Sequence, residues 1–387
     1  MQMTCSPSPS KINRAFGWII PPFLVGVMGF TTWVYIVLIC INYLIMHGRR
    51  IGSIDLFFCN QNAYNLVILL VVFSILLCMV ILSFIRIIFT PPGYVPRLKD
   101  LKTCSSNNIE LRNHITDQMR TFCLYDAYVC ENDGFPRWCA VCEVYKPDRA
   151  HHCSEVQRCV LKLDHFCPWV GGVIGFTRYK FFVLFIFYVT LICVFVICSC
   201  APLTGEYRKM NGQVPGPWIG ILVLASFFTL FLGPFTSIHI FYILRNSTTI
   251  ESINFYARFY LLNVLYDTEN SGFKRANVTT NPGEHPWDLG WKRNWCSVMG
   301  RSWWDWLFPI RGSPGNGYHF EYNSSKLNEW KITAKTNVSK YLSSSKSMTF
   351  SNLQTEYSGS FSHGFWTDNG VLTSSTNSVK ALTEQIL

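Results

Sequence analysis

The chain has 387 residues, of which 49% are hydrophobic and 16% aromatic but only 14% charged, and its mean hydropathy is +0.20. Ordinary soluble domains carry about 25% charged residues, so a water-exposed globule is excluded. The net charge of +10 suits a surface facing anionic lipid; nucleic acid is excluded as a partner, because no basic run or aromatic stacking module accompanies the charge.

In chain order, a short N-terminus (1–15) precedes four apolar runs at 16–46, 64–89, 181–203 and 218–244. Each is long enough to cross a hydrocarbon core, which takes roughly 20 residues. The first is too long, and too closely followed by another span, for a cleaved signal peptide with an apolar region of about 7–15 residues. The expected fold is an all-α integral membrane protein of four transmembrane helices. Arg49 and Arg50 lie between spans one and two, and Arg208 and Lys209 between spans three and four. Most other basic residues lie before span one, between spans two and three, or after span four, which places both termini in the cytosol. The sequons at Asn277 and Asn323 fall on that side and are read as chance matches. Neither terminus carries a recognisable compartment address.

Span two runs into TPPGYVP, where Pro91, Pro92, Gly93 and Pro96 stop the helix. Residues 90–136 form a weakly patterned connection, and 137–180 a Cys/His/aromatic-rich module that leads into span three. Gly233-Pro234 implies a kink in span four, and His239 near its inner end is read either as a packing histidine or as a functional one. Residues 245–312 form a juxtamembrane region. Its HPWDLGWKRNW and GRSWWDWLFPI stretches combine dense Trp with Lys292, Arg293 and Arg301, as suits a segment at the lipid headgroups. From 313 to 387 the Ser/Thr/Asn/Gly-rich tail is expected to be disordered.

The chemistry concentrates in the central module. The 16 cysteines do not imply a disulfide framework, because thiols on a cytosolic face stay reduced and a cluster of them points to metal or catalysis. WCAVC places Cys139 and Cys142 in CxxC spacing, and KPDRAHHC adds His151, His152 and Cys153, with Cys159 beyond. Two thiolates of a CxxC knuckle with a downstream His and Cys can complete a tetrahedral zinc site, which holds together a module with little core of its own. LKLDHFCPWV then brings Asp164, His165 and Cys167 within four positions. A thiol attacks only as thiolate, and His165 with Asp164 supplies a base and its orienting carboxylate. The residues alone leave Cys167 open as a nucleophile or as part of a metal site.

WCAVC, KPDRAHHCS, RCVLKLDHFCPWV and GFTRYKFF, in this order, resemble the DHHC protein S-acyltransferases, or palmitoyltransferases. TPPGYVP, the TTIE of Thr248 to Glu251 and HPWDLGWKRNW resemble further elements of that family, so the likeness runs from Phe16 to about Ile310. It implies one zinc held by Cys139, Cys142, His152 and Cys159. For a second zinc site only Cys153 remains; Val156, Phe166 and Val173 stand where the family has ligands, as in certain fungal members with a degenerate cysteine-rich domain. Three apolar replacements together suit the exchange of a metal for a small hydrophobic cluster. Gly171, Gly172 and Thr177 also stand where the family often has Asn.

The resemblance implies an enzyme in which Cys167, activated by His165 and Asp164, takes a long-chain acyl group from acyl-CoA and passes it to membrane-proximal cysteines of protein substrates, with the bilayer-embedded spans forming a slot for the chain. Trp169 is read as lining the mouth of that slot or as an interface anchor. TTIE is read as a helix cap or as a brace for the active-site module. The competing classes are a catalytically silent, zinc-binding membrane scaffold and a small transporter; the latter fits poorly with spans nearly bare of charge.

Overall fold

The computed structural model describes residues 11–45, 56–97, 117–253, 255–268 and 272–351. Helix α1 (Lys11–Trp33) continues as a π-helical segment (Val34–Ile45), and α2 spans Leu56–Phe89. Short strands follow: β1 (Ala127–Val129), β2 (Trp138–Cys139), β3 (Val144–Tyr145), β4 (His151–Cys153), β5 (Arg158–Val160), β6 (His165–Cys167) and β7 (Gly172–Ile174). Next come α3 (Tyr179–Asn211), α4 (Gly216–Leu244), the single turn α5 (Thr249–Ser252), β8 (Leu261–Thr268), β9 (Gly272–Thr279), α6 (Trp291–Met299), α7 (Trp303–Leu307) and α8 (Ser324–Ser351). The Arg49 and Arg50 used for orientation, the first ten residues and the tail beyond 351 lie outside the described residues.

Among the described residues, two compact units can be distinguished. One takes residues from Met1–Tyr94, His151–Ser252 and Gly290–Gly317, the other from Val95–Ala150, Ile253–Leu289 and Tyr318–Leu387.

The first unit holds four helices long and apolar enough to cross a membrane, Gly17–Ile41, Val67–Phe89, Tyr179–Asn211 and Gly216–Leu244. The Cys/His-rich region lies between the second and third of them in the chain. Their ends depart from the apolar runs because caps, rather than hydropathy, end a helix. α3 continues to Asn211, where Gly212 adopts φ 74° and donates its N–H to the Arg208 carbonyl. α4 passes through Pro234 without a break in helix.

After α2 the PPGY stretch does more than turn the chain. Tyr94 bridges to Val160 of β5, and the Gly93 carbonyl accepts the Leu161 N–H at 2.8 Å. Thr177 and Arg178 donate to the Pro91 and Thr90 carbonyls. Gly175 is required at this junction, since a Cβ there would collide with the Pro92 carbonyl and Val160. The end of α2 and the start of α3 thus hold the β4–β5 and β6–β7 hairpins between them.

The juxtamembrane segment is tied to the spans. Asn294 of α6 is fully buried and donates to the Leu244 carbonyl at 2.8 Å, occupying an otherwise open acceptor at the end of α4. Tyr188 reaches the Leu307 carbonyl at 2.7 Å and Arg86 that of Ile310 at 2.9 Å. Trp291, Trp303 and Trp304 remain exposed, as expected of aromatics that sit at a headgroup layer.

The second unit adds to the expected four-helix membrane fold a part that is not built of helices alone, since β8 pairs antiparallel with both β1 and β9. Leu262, Val264 and Tyr266 alternate along β8 and bury one face, the period-2 signature of a strand. Nor is all of 313–387 without structure: α8 packs Trp330 and Ala334, with Leu327 and Val338 beside them, against Leu262, Val278 and Trp287. Four apolar residues on one helical stripe outweigh the polar composition around them. Asn323 caps this helix, accepting the Lys326 N–H at 3.3 Å. The KPDR turn serves the same core. Asp148 accepts the Val129 N–H at 2.8 Å and the Tyr322 hydroxyl at 2.5 Å, and the Arg149 guanidinium lies 4.9 Å from the Trp287 ring. Burial pushes the Asp148 carboxyl up, against these two hydrogen bonds.

Trp330→Ala empties the centre of this core and is expected to destabilise the second unit by about 3–5 kcal/mol, read as a lower unfolding temperature and as earlier proteolytic release of the C-terminal helix.

Candidate active site

Strand alternation sorts the residues of the central hairpins. In β6, His165 and Cys167 share one face and Phe166 takes the other. β6 pairs with β7 in the register His165↔Ile174, Phe166↔Val173 and Cys167↔Gly172. A 3-10 turn, Pro168–Val170, closes the hairpin, and Gly171 follows at φ 65°. That left-handed residue also faces the Gly17 carbonyl of α1, so a side chain is refused there on both counts.

On the first face, Cys167 is buried in a cluster with Val170, Ile174, Tyr179, Phe181 and Phe182. The Asp164 carboxylate is 1% exposed and therefore needs partners. It has three: Oδ1 accepts the Thr249 N–H at 2.9 Å, while Oδ2 accepts the Thr249 hydroxyl at 2.8 Å and meets His165 Nδ1 at 2.6 Å. Burial alone would raise the Asp164 carboxyl, but the hydrogen bond and charge of His165 and the Thr249 amide outweigh it and hold it below its usual value. Burial likewise acts to lower the imidazole of His165. The hydrogen bonds and charges of Asp164 and Cys167 win, and His165 is pushed up to about 9.

Both readings of TTIE hold together. Thr248 and Glu251 form a reciprocal capping box, with the Thr248 N–H to Glu251 Oε2 at 3.0 Å and the Glu251 N–H to Thr248 Oγ1 at 3.2 Å. This box starts α5 and presents Thr249 to Asp164.

On the second face, Phe166 joins Cys153, Val160, Leu163, Val173, Val156 and Tyr94 in a separate apolar cluster. Cys153 donates to Glu155 at 3.1 Å, and burial together with that carboxylate pushes its thiol up to about 12.

Cys139 and Cys142 are buried at the β2–β3 turn, and His152 and Cys159 oppose each other across β4 and β5, with Sγ and Nδ1 4.0 Å apart. These four residues form a Cys/His cluster that could hold a metal ion. Three thiols and an imidazole are the donor set of a closed structural zinc site. Asp164, His165 and His239 form another group by distance, but the Asp164 oxygens are already engaged by Thr249 and His165. Within that group Asp164 and His165 are joined by a hydrogen bond, and His239 pairs with the Tyr179 hydroxyl.

Trp169, on the hairpin turn, is 52% exposed. An apolar cavity lies among the four spans, walled by Leu24, Phe73, Phe185, Ile192, Ala225 and Phe228; Phe185 belongs as well to the cluster around Cys167. Sequence reasoning left His239 undecided between packing and function, and quoted Tyr179 and Phe182 within GFTRYKFF without giving either a role. His239 is buried beside His165, and the signal that marks it is an imidazole in an otherwise apolar span.

Residues 132–256 match the family described as DHHC palmitoyltransferase. The chain is 29% identical to palmitoyltransferase pfa5 of Aspergillus fumigatus, over 79% of this chain and 85% of that protein. It is 32% identical to palmitoyltransferase PFA3 of Yarrowia lipolytica, over 63% of this chain and 62% of that protein. To palmitoyltransferase ZDHHC20 of Mus musculus it is 30% identical, over 80% of this chain and 78% of that protein.

With its imidazole raised from 6.5 to about 9, His165 contributes stability that is full below pH 6.5 and is lost as the pH rises through 9. Asp164→Asn is expected to bring the His165 midpoint down toward 6.5, and Thr249→Val to lower it less; an imidazole chemical-shift titration, or the pH dependence of Cys167 alkylation, reads both.

Proposed function

The chain belongs to the DHHC palmitoyltransferase family and is a protein palmitoyltransferase, and from that premise we propose that Cys167 is the sulfur that carries the acyl group. The observation that supports this most directly is the hydrogen-bonded chain from Thr249 through Asp164 to His165, with Cys167 two residues along the same strand face. An imidazole raised to about 9 is protonated at neutral pH and puts a positive charge on the face of β6 that carries Cys167, which we take to react as the thiolate, the form in which a cysteine sulfur is nucleophilic.

The thiolate attacks the carbonyl carbon of a long-chain acyl-CoA, forming the acyl–Cys167 thioester and breaking the bond to the CoA sulfur. His165 gives its proton to the departing CoA thiolate and becomes neutral. In the second half, neutral His165 takes the proton of a substrate cysteine as that sulfur attacks the acyl carbon. Cys167 leaves as thiolate, and the starting ion pair is restored. Asp164 keeps the ring in one orientation and stabilises its charge through both halves, and Thr249 holds Asp164.

The apolar cavity among the spans suits the acyl chain, which would otherwise lie in water, and its shared wall residue Phe185 links it to the neighbourhood of Cys167. Exposed Trp169 suits the mouth of that slot or an anchor at the headgroups. The Lys/Arg distribution favours cytosolic termini, which puts Cys167 on the side where acyl-CoA and substrate cysteines are found. Residues 137–180 are then the cysteine-rich domain.

Cys139, Cys142, His152 and Cys159 would hold one structural zinc, whose role is to lock the short hairpins together and not to take part in acyl transfer. Val156, Phe166 and Val173 replace a second zinc by packing. The alternation in β6 supports this: Phe166 changes the face turned away from His165 and Cys167, so losing a ligand there leaves the nucleophile's surroundings alone.

Incubation of the purified protein with labelled palmitoyl-CoA is expected to leave hydroxylamine-sensitive label on Cys167, absent from Cys167→Ser; a folded protein that takes no label would instead make it a silent scaffold. Elemental analysis is expected to find close to one zinc per chain, and two would refute the replacement of the second site.

A further inference from the structure

His239 lies on the membrane side of Asp164 and His165, and none of the steps above uses it. It is 1% exposed in α4. Its Nδ1 is 3.2 Å from the Tyr179 hydroxyl, and one of its ring nitrogens lies within 4.8 Å of the ligand atoms of both Asp164 and His165. Its ring centroid is 5.9 Å from that of His165, and Phe182 packs edge-on against both rings, at 5.1 Å from His165 and 5.2 Å from His239. Phe235 and Tyr242 complete its surroundings.

An imidazole in an apolar span is costly unless it makes specific contacts. Here it pairs with the Tyr179 hydroxyl and lies beside Asp164 and His165. Two imidazoles this close, among aromatic rings, do not both carry charge, and the Asp164 carboxylate assigns the charge to His165. We propose that His239 is a positioning residue for acyl transfer: oriented by Tyr179, it forms the polar wall on the membrane side of His165, holds that ring in plane together with Phe182, and turns a dipole toward the imidazolium. Without it His165 loses a polar neighbour on that side, which disfavours the charged state. The proposal rests on the reading of Cys167 and His165 given above.

The titratable groups facing His239 among the described residues are Asp164 and His165 from the hairpin, Tyr179 from α3 and Tyr242 from its own helix. The test therefore compares His239→Phe, His239→Gln and Tyr179→Phe with His165→Ala in the full-length protein. Two measurements are made: the pH dependence of Cys167 alkylation by iodoacetamide without acyl-CoA, and single-turnover self-acylation across palmitoyl-CoA concentrations.

His239→Phe is expected to slow maximal self-acylation by about tenfold or more, the scale of a misplaced catalytic group, with an unchanged half-saturating concentration and a shifted alkylation midpoint. His239→Gln, which keeps a polar group, recovers most of the loss, and Tyr179→Phe shows a smaller loss in the same direction. A folded His239→Phe protein with the original rate and midpoint overturns the proposal, as does a Gln variant no better than Phe. Should His239→Phe not fold, original alkylation profiles in both His239→Gln and Tyr179→Phe overturn it equally. An alkylation profile unmoved by His165→Ala refutes the reading of His165 itself; one moved by His165→Ala and by none of the others refutes the role of His239 alone.

Discussion

The arrangement around His165 depends on one buried carboxylate. Asp164 lies in a dry environment where an unpaired charge would be expelled or neutralised, and three donors converge on it from two distant parts of the chain. Each partner has its own support. The capping box of Thr248 and Glu251 sets Thr249 in place, and the backbone hydrogen bond from Asp164 to Ile174 fixes the strand that carries it. Because the carboxylate is satisfied only when α5 and the β6–β7 hairpin are both in position, the same contacts that make its burial tolerable also fix the His165 ring.

The second constraint is the two-residue period of a strand. In β6 it separates a face bearing His165 and Cys167 from a face bearing Phe166, so that the proposed chemistry and its support occupy opposite sides of one hairpin. This separation allows the supporting side to be apolar while the reactive side keeps its polar residues. On our reading it is how a DHHC-type module can give up one metal without losing its nucleophile, because packing of Val156, Phe166 and Val173 supplies locally what a metal would otherwise supply.

Much of this was legible along the chain. The four membrane helices are visible because a run of roughly 20 apolar residues has few other uses, and the CxxC and HHC spacing marks the metal cluster because ligand chemistry needs those residue types close together. The sheet of the second unit was overlooked, although Leu262, Val264 and Tyr266 alternate clearly enough. α8 was overlooked because Leu327, Trp330, Ala334 and Val338 are sparse among polar neighbours, and a stripe of four counts for little in composition yet suffices when a complementary surface exists.

The sequence by itself determined which residues could do chemistry: a Cys, a His and an Asp within four positions, thiols and imidazoles at ligand spacing, and spans with nothing to do but cross lipid. Those are local properties, set by side-chain identity and by neighbours in the chain. Only the tertiary structure decided that Thr249 grips Asp164, that Phe166 turns away from Cys167, and that an imidazole within the fourth span comes to lie beside His165. Such contacts join segments far apart in sequence, and the physical requirement they meet, that a buried charge be fully hydrogen-bonded, acts on space and leaves no periodic trace along the chain.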